Sequence, residues 1–249
     1  MDEQFKKLVN KESIDELYKK LPNYFEYNGD IDKNAYLNWR FRRFNDIESQ
    51  FYELGKSYLE TAMFLLERCL KDNSDKKADV WIFPILFNTV HGIEVYLKGF
   101  NSQIQRLMSI EFQEEINHYN IEGNHDIKQL CQTSIAKFNE YINKSSNIDS
   151  KSKETKNKKT ELRFVLKFIE LLYEKTNDMS AMRYPINKEQ KDRQFYNDIF
   201  NFENIVIDLQ IYKIWIYRVF SILESTTGFV DWAVGELEGI YYESQNMDY

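Results

Sequence analysis

The sequence predicts an all-α protein, folded as a single bundle of six to eight helices. Apolar residues recur at every third or fourth position over long stretches, as on one face of a helix. The 249 residues include only 8 Gly and 3 Pro, too few for the many turns of a sandwich or barrel of short strands. Hydrophobic residues make up 43% of the chain, which suffices for a substantial core. We expect one domain over residues 1–249.

The first half of the chain divides into helical stretches separated by polar breaks. A helical region is predicted at about 2–21, and residues 23–33 have the composition of a loop. A long helix is expected at about 35–71, followed by a break at 72–77. The next helix, at about 79–107, is apolar on nearly every side, which is typical of a central helix.

The second half continues the helical pattern. Residues 144–159 are rich in Lys and Ser and are predicted to form a mobile loop, while residues 177–191 are expected to be irregular. Helices are predicted at 110–118, at 124–143 with Asn124 as the cap, at 160–176, and along an apolar seam through 202–223 that bends or breaks at Gly228.

Composition and charge indicate in which cellular compartment the protein is expected and which partners it is expected to bind. The first residues do not have the charged-then-apolar order of a signal peptide, and charged residues interrupt the longest apolar stretch before it reaches membrane-spanning length. Two cysteines are too few for a disulfide framework. A net charge of −7 argues against a protein coated by nucleic acid, although an acidic protein can carry a local basic site. We expect a cytoplasmic protein that does not contact a membrane.

A polar stripe runs along the predicted central helix. His91, Glu94 and Lys98 fall within about 60° of one another on a helix, and Asn88 borders the same arc. Titratable groups on a core helix require partners, so two interpretations stay open. The stripe either binds a phosphate or substrate, or forms a buried structural network with Glu94 paired to Lys98. The spacing of His91 and Glu94 also suits a metal, but without a His-Glu-x-x-His pattern we predict neither a metal nor a cofactor.

Two further segments carry groups suited to anions. Asn124, His125 and Asp126 begin a predicted helix, whose N-terminal amides either bind a phosphate or are capped by these side chains. Arg183 stands before Tyr184 and Pro185, where its guanidinium either binds an anion or anchors the loop by pairing with Glu94 or Asp126.

Basic and aromatic residues alternate between positions 39 and 44. Arg40, Arg42 and Arg43 are therefore candidates for contact with single-stranded nucleic acid, through phosphate contacts and base stacking. The alternative is a packing face made by the aromatic residues, with the arginines solvated or ion-paired.

The motifs described so far resemble the HEPN superfamily of prokaryotic helical domains. The resemblance rests on His91-x-x-Glu94-x-x-x-Lys98, on the segment from His125 to Leu130, and on Arg183-Tyr184-Pro185. It implies a helical bundle from an anti-phage or toxin–antitoxin system, and it leaves a homodimer open. It also implies a pocket-lining role for a set of polar residues: His91, Glu94, Lys98, His125, Asp126 and Arg183.

One departure from the family pattern leaves enzymatic activity open. Many HEPN proteins are metal-independent ribonucleases with an Arg-x4-6-His motif, but positions 84–86, 111–113 and 118–120, which precede the three histidines, contain no Arg. The usual catalytic pair is therefore absent. His91, Glu94, His125 and Arg183 remain candidates for a different catalytic arrangement.

Three functions are compatible with these residues. The first is a HEPN-like defence module that binds a nucleotide, an RNA or a partner protein through a polar cleft. The second is a non-enzymatic interaction subunit, whose partner is expected to be encoded in the same operon. The third is a divergent ribonuclease with His91 or His125 as general acid–base.

Overall fold

The computed structural model describes residues 24–25, 27–37, 46–113, 125–175, 179–183 and 205–246. The chain separates into two compact units, residues 1–43 and residues 44–249, and each is described by itself. All α-helices of the described residues lie in the larger unit, and no strand occurs in the described ranges. The predicted all-α class is confirmed.

The larger unit contains five α-helices within its described ranges. They are α1 (Ile47–Lys71), α2 (Ala78–Phe112), α3 (Ile127–Lys144), α4 (Lys153–Tyr173) and α5 (Leu209–Asn246). A short 3-10 helix, Met179–Met182, lies between α4 and α5. Side chains that accept hydrogen bonds from first-turn amides begin four of the helices: Asp46, Asp126, Ser152 and Asp208.

Helix α2 is the central helix, as the sequence predicts. It packs against α1, α3 and α5 and against the 3-10 helix, while α4 closes the bundle against α3 and α5. Twenty of its residues are buried, including Glu94 and Lys98. The polar stripe therefore lies on a helix that is surrounded by protein for much of its length.

Two glycines bring α1 and α2 close together. A Cβ atom added to Gly92 would lie 3.0 Å from the carbonyl oxygen of Gly55 and 2.7 Å from Cγ of Leu59. A Cβ atom on Gly55 would meet the carbonyl oxygen of Gly92 at 3.0 Å. Neither position has room for a larger side chain at this separation, so the close approach depends on both glycines.

Within the described ranges the five α-helices are fewer than the predicted six to eight. The predicted break at Gly228 does not occur, because α5 continues through it and the adjacent Phe229 and Val230 are buried. A helical glycine costs only about 1 kcal/mol relative to Ala, which such burial offsets. The predicted piece at 110–118 is in part the end of α2, which continues to Phe112. The predicted helix at 2–21 lies outside the described residues.

Two predicted boundaries also change. The predicted loop at 144–159 is shorter, because Ser152 accepts a hydrogen bond from the amide of Thr155 and α4 begins at Lys153. The predicted helix at 35–71 begins only at Ile47, where Asp46 caps it, and residues 35–37 are not helical. Polar side chains that accept hydrogen bonds from first-turn amides thus determine where α4 and α1 begin.

Helix α2 is both long and apolar. By length and composition it is the one helix of the described residues that meets the requirements of a membrane span, with a mean hydropathy of 1.3 over its most apolar window. More than half of that window is buried within the protein, and a core helix passes the same test. The expected cytoplasmic location and absence of membrane contact stay predictions.

Both cysteines are buried free thiols. Burial raises the pKa of Cys131 to about 12, and burial also raises the pKa of Cys69. Thiolates are the nucleophilic form of cysteine, so neither residue is suited to nucleophilic chemistry.

In the smaller unit the described residues form a loop with one 3-10 turn, Ile31–Lys33. The backbone amide of Asn28 donates to the side-chain oxygen of Asn34 at 2.7 Å, and the Asn34 amide group donates back to the Asn28 carbonyl at 2.8 Å. These reciprocal bonds close the loop, in agreement with the loop predicted at 23–33.

Candidate functional site

The Glu94 carboxylate is the centre of a polar cluster on α2. Its Oε1 atom accepts hydrogen bonds from Nζ of Lys98 at 2.8 Å and from Nδ1 of His125 at 2.9 Å. Its Oε2 atom lies 3.8 Å from Nδ1 of His91, an electrostatic contact that is too long for a hydrogen bond. We call these four residues, His91, Glu94, Lys98 and His125, the Glu94 cluster.

The helical spacing of the sequence explains three members of the cluster. His91 precedes Glu94 by three residues and Lys98 follows it by four, so all three share one face of α2. The side chains of Glu94 and Lys98 are only 10% and 8% exposed, so this is a buried ion pair. A buried pair stabilises a protein only when its geometry is good and further hydrogen bonds satisfy its atoms. His125 supplies such a bond.

The neighbours of Glu94 keep it ionised. Burial by itself raises the pKa of a carboxyl group, but the interactions with His91, Lys98 and His125 outweigh it and lower the pKa of Glu94 to about 2. The group is therefore a carboxylate at any physiological pH. It serves as a fixed negative charge that orients two imidazoles and one ammonium, and it is not suited to act as a general acid.

His91 is held between aromatic rings. Its imidazole stacks on Phe87 at 5.6 Å between ring centroids and meets the edge of Tyr58 at 4.5 Å. One third of its side chain is exposed. The ring therefore has a fixed plane while part of it remains accessible from the surface.

His125 is the most accessible member of the cluster. It immediately precedes α3, and its side chain is 73% exposed although Nδ1 reaches the buried Glu94 oxygen. Because Glu94 is a carboxylate and can only accept, we assign the proton to Nδ1. In the neutral ring, Nε2 is then the accepting nitrogen and is available to a ligand or a proton.

Asp126 is the N-cap of α3. It accepts hydrogen bonds from the amides of Lys128 and Gln129 at 2.9 and 3.1 Å and from the hydroxyl of Tyr173 at 2.8 Å. The prediction of Asn124 as the cap is therefore wrong, because the cap lies two residues later in the chain. The alternative in which a side chain of this segment satisfies the first-turn amides is confirmed, with Asp126 in that role. The prediction of a phosphate bound by these amides is also unsupported, since Asp126 already satisfies two of them.

Arg183 approaches the cluster through Phe87. Its guanidinium carbon lies 5.8 Å from the centre of the Phe87 ring, and that ring stacks on His91. The preceding residue, Met182, is buried in the main core and anchors this segment beside α2. The structure thus places Arg183 near the polar stripe, with the Phe87 ring between its guanidinium and His91.

The other predicted site residues are not part of the Glu94 cluster. Asn88 is half-buried on α2, one turn before the cluster. Asn124, Arg40, Arg42 and Arg43 lie outside the described residues. The predicted nucleic-acid contact of the three arginines stays a prediction.

Sequence reasoning missed the aromatic and hydroxyl groups that support the site. Phe87 precedes His91 by one helical turn, so helical spacing contained that signal. Tyr58 and Tyr173 come from other helices and have no such signal, because only the folded packing brings them to His91 and Asp126.

The donor set of the cluster does not suit a metal ion. Among the described residues no group of three or more His, Cys, Asp and Glu side chains is arranged to hold one. Glu94 Oε1 is already bonded to a lysine ammonium, which repels a cation. The arrangement instead suits an anion, because the surrounding groups are donors or can become cationic.

No protein-family model, curated protein or solved structure matches the chain. The resemblance to the HEPN superfamily therefore stays a prediction from three motifs. The roles proposed for individual residues therefore rest on the geometry of the Glu94 cluster.

Proposed function

We propose that the chain is a HEPN-like helical module of a bacterial anti-phage or toxin–antitoxin system, and that it binds a phosphate-bearing ligand, a nucleotide or RNA, at the Glu94 cluster. The observation that carries the proposal is the shared Glu94 oxygen, which holds Lys98 and the exposed His125 at once. A fixed carboxylate that accepts the Nδ1 proton of an exposed imidazole orients the ring and leaves Nε2 available to a ligand, as carboxylates do behind metal-bound histidines in other proteins.

The cationic groups beside the cluster suit an anion. Lys98 and Arg183 carry positive charge, and Lys98 and His125 already engage the Glu94 carboxylate. Asp126 opposes an anion, but two amides and the Tyr173 hydroxyl already engage its oxygen.

The solvent exposure of the site residues also supports binding of a phosphate-bearing ligand. His125 and Arg183 are exposed, and His91 is partly exposed. The Phe87 ring between Arg183 and His91 offers an apolar surface beside these donors. A nucleotide matches this surface because it carries an aromatic base, which suits the Phe87 ring, beside a phosphate, which suits the donors.

Direct binding tests this proposal. AMP, inorganic phosphate and a fluorescein-labelled single-stranded RNA are titrated into wild-type protein by calorimetry or fluorescence anisotropy. We expect AMP or RNA to bind at least tenfold more tightly than phosphate, and His125→Ala to weaken binding about tenfold, as for loss of a charge-assisted hydrogen bond. Arg218→Ala, which removes an exposed arginine of α5 paired with Glu161, serves as the matched control.

The outcomes separate the candidate ligands. Preference for RNA over AMP assigns the site to RNA, and the reverse preference assigns it to a nucleotide. Absence of binding at millimolar ligand, or equal losses for His125→Ala and Arg218→Ala, would overturn the proposal.

A divergent ribonuclease is the second candidate, and one observation favours it. Two imidazoles flank a single carboxylate, so a general acid and a general base are both available beside a bound phosphate. Incubation of the protein with a mixed RNA pool in EDTA tests it. Cleavage that His125→Ala removes would support the enzyme, and intact RNA at high protein concentration would exclude autonomous cleavage.

A non-enzymatic interaction subunit is the third candidate. Large apolar side chains are exposed on α1, α2 and α5: Phe64, Val80, Ile214 and Trp232. Exposed apolar area of this kind is a common property of surfaces that bind proteins. Co-purification of a stoichiometric partner from the native host, lost when Val80 and Phe64 are replaced by Ser, would favour this function.

A further inference from the structure

The outward face of α4 carries a row of cationic side chains. At about 100° of rotation per residue they fall within about 120° of one another, over about 15 Å of the helix. The buried side of α4, which includes Leu162 and Val165, points the other way. We call these residues the basic row: Lys153, Lys156, Lys159 and Arg163. Lys159 is partly exposed and the others are exposed.

The charge of the basic row is not compensated by carboxylates. Within the described ranges no ion pair involves any of its members. The ion pairs of α4 use other cations. Lys158 pairs with Glu161 at 3.2 Å. Lys167 pairs with Glu174 at 3.7 Å. The whole chain has a net charge of −7, so the basic row is a local excess of positive charge on an acidic protein.

The basic row works against the stability of the helix that carries it. Its members follow one another at intervals of three or four residues, and like charges at that spacing on a helix repel. Lys153 and Lys156 are also among the first four residues of α4, where the helix dipole disfavours a cation. Proteins keep such locally unfavourable arrangements mainly at functional positions. This cost is a second indication, besides the missing counter-charges, that the row has an anionic ligand.

The composition of this face indicates the class of partner. None of the large apolar side chains that are exposed within the described ranges belongs to α4. A helix that binds a lipid surface buries an apolar face in it, and interfaces between proteins have an apolar centre and are depleted in Lys. A face that offers cations without apolar side chains is instead typical of contacts with the phosphates of nucleic acids.

The straightness of the basic row favours a single strand. The row follows the axis of one helix, with a cation at about every turn. A flexible single strand can follow such a line, whereas each strand of a duplex winds away from it. Since no exposed aromatic ring lies on α4, the contacts go to phosphates and do not depend on the bases.

We propose that the basic row binds the phosphate backbone of a single-stranded nucleic acid, independently of its sequence. The row begins at Lys153, at the opposite end of α4 from Tyr173, whose hydroxyl donates to Asp126 beside the Glu94 cluster. These two ends of α4 are about 30 Å apart. The surface is therefore separate from the Glu94 cluster and does not depend on the function proposed for that cluster.

Matched neutral substitutions test the basic row. The row variant, Lys156→Gln with Arg163→Gln, removes two of its charges. The control variant, Arg68→Gln with Lys71→Gln, removes the same two residue types from exposed positions near the end of α1. Glutamine preserves helix propensity in both. Because the row variant removes repulsion between like charges, we expect it to melt no lower than wild-type protein, so that unfolding does not explain a loss of binding.

Fluorescence anisotropy measures binding of a labelled oligouridylate of about twelve nucleotides to the full chain at several salt concentrations. We expect wild-type protein and the control variant to bind within twofold of each other, and the row variant to bind at least tenfold more weakly at low salt. The slope of log K against log salt should be smaller by about 1.4 in the row variant, since each single-strand phosphate contact contributes about 0.7. Oligothymidylate of the same length shows whether RNA or DNA is preferred.

Three results would overturn the proposal. They are absence of binding of both oligonucleotides at low salt, equal losses for the row and control variants, and tighter binding of a duplex or of polyglutamate than of either single strand. His125→Ala separates the two sites. A loss with His125→Ala but not with the row variant would exclude the basic row, and the converse would support the row and exclude the Glu94 cluster as the RNA site.

Discussion

Nδ1 of His125 lies 2.9 Å from Oε1 of Glu94, which links the beginning of α3 to the centre of α2. The same oxygen accepts from Lys98, so one buried atom joins a surface imidazole to a buried ammonium. The two interpretations of the polar stripe are therefore compatible. The Glu94–Lys98 pair is structural, and the imidazoles that it orients reach the surface.

The Glu94–Lys98 pair predicts a double-mutant result. Glu94→Gln leaves a buried ammonium without its counter-charge, and Lys98→Met leaves a carboxylate without its ammonium. We expect each to lower the free energy of unfolding by about 3–5 kcal/mol, because an unpaired buried charge is costly. The double variant should lose clearly less than the sum of the two losses. Urea denaturation measures all four proteins, and additive losses would contradict a coupled pair.

The lowered pKa of Glu94 predicts a pH dependence. The folded-state pKa of about 2 is below the ordinary value of 4.5, so the stabilisation is present above about pH 4.5 and is lost as the pH falls toward 2. The shift corresponds to about 3 kcal/mol at most. Unfolding free energies measured from pH 6 to pH 2 should fall more steeply for wild-type protein than for Glu94→Gln. Parallel curves would show that Glu94 has an ordinary pKa.

The close approach of α1 and α2 predicts opposite effects at two glycines. Gly92→Ala places a methyl group 3.0 Å from the Gly55 carbonyl oxygen and should destabilise the protein by about 1–3 kcal/mol. Gly235→Ala meets no atom within 4 Å and should stabilise α5 by up to about 1 kcal/mol, through helix propensity. Thermal unfolding compares the two. A stabilising Gly92→Ala would show that the helices are not in close contact.

The cap of α3 predicts a difference between two substitutions of one residue. Asp126→Ala removes both bonds to the first-turn amides and should cost about 1 kcal/mol, whereas Asp126→Asn keeps an accepting oxygen and should cost less. Denaturant titration of both variants checks the prediction. Equal losses would mean that the charge, and not the cap, stabilises this end of the helix.

Helical periodicity was sufficient to predict the fold class and the central position of α2. Periods of three and four residues report directly which face of a helix is buried. Among the described residues the number of helices is lower than predicted, in part because α5 continues through Gly228 and α2 continues through Ile110. A glycine within a helix is tolerated when its neighbours are well buried, and burial depends on the other helices.

The candidate site was predictable where its members share one helix. His91, Glu94 and Lys98 follow from spacing on α2, and His125 and Arg183 were inferred as separate anion-suited segments. Which of Asn124 and Asp126 caps α3 depends on where the helix begins, a boundary that periodicity locates poorly. Tyr52, Tyr96 and Asp231 lie on three different helices, and no local pattern in the sequence predicts that these helices pack together there.

The most direct test of the Glu94 cluster is the NMR spectrum of its imidazoles. The chain contains three histidines, so a ¹H–¹⁵N spectrum of the rings is simple, and His91→Gln and His125→Gln assign the two signals of interest. On addition of AMP or a short single-stranded RNA, we predict that the His91 and His125 signals shift with one common dissociation constant, and that Arg218→Ala preserves the shifts. If neither signal moves at millimolar ligand, the Glu94 cluster is a structural network and the proposed binding site is wrong.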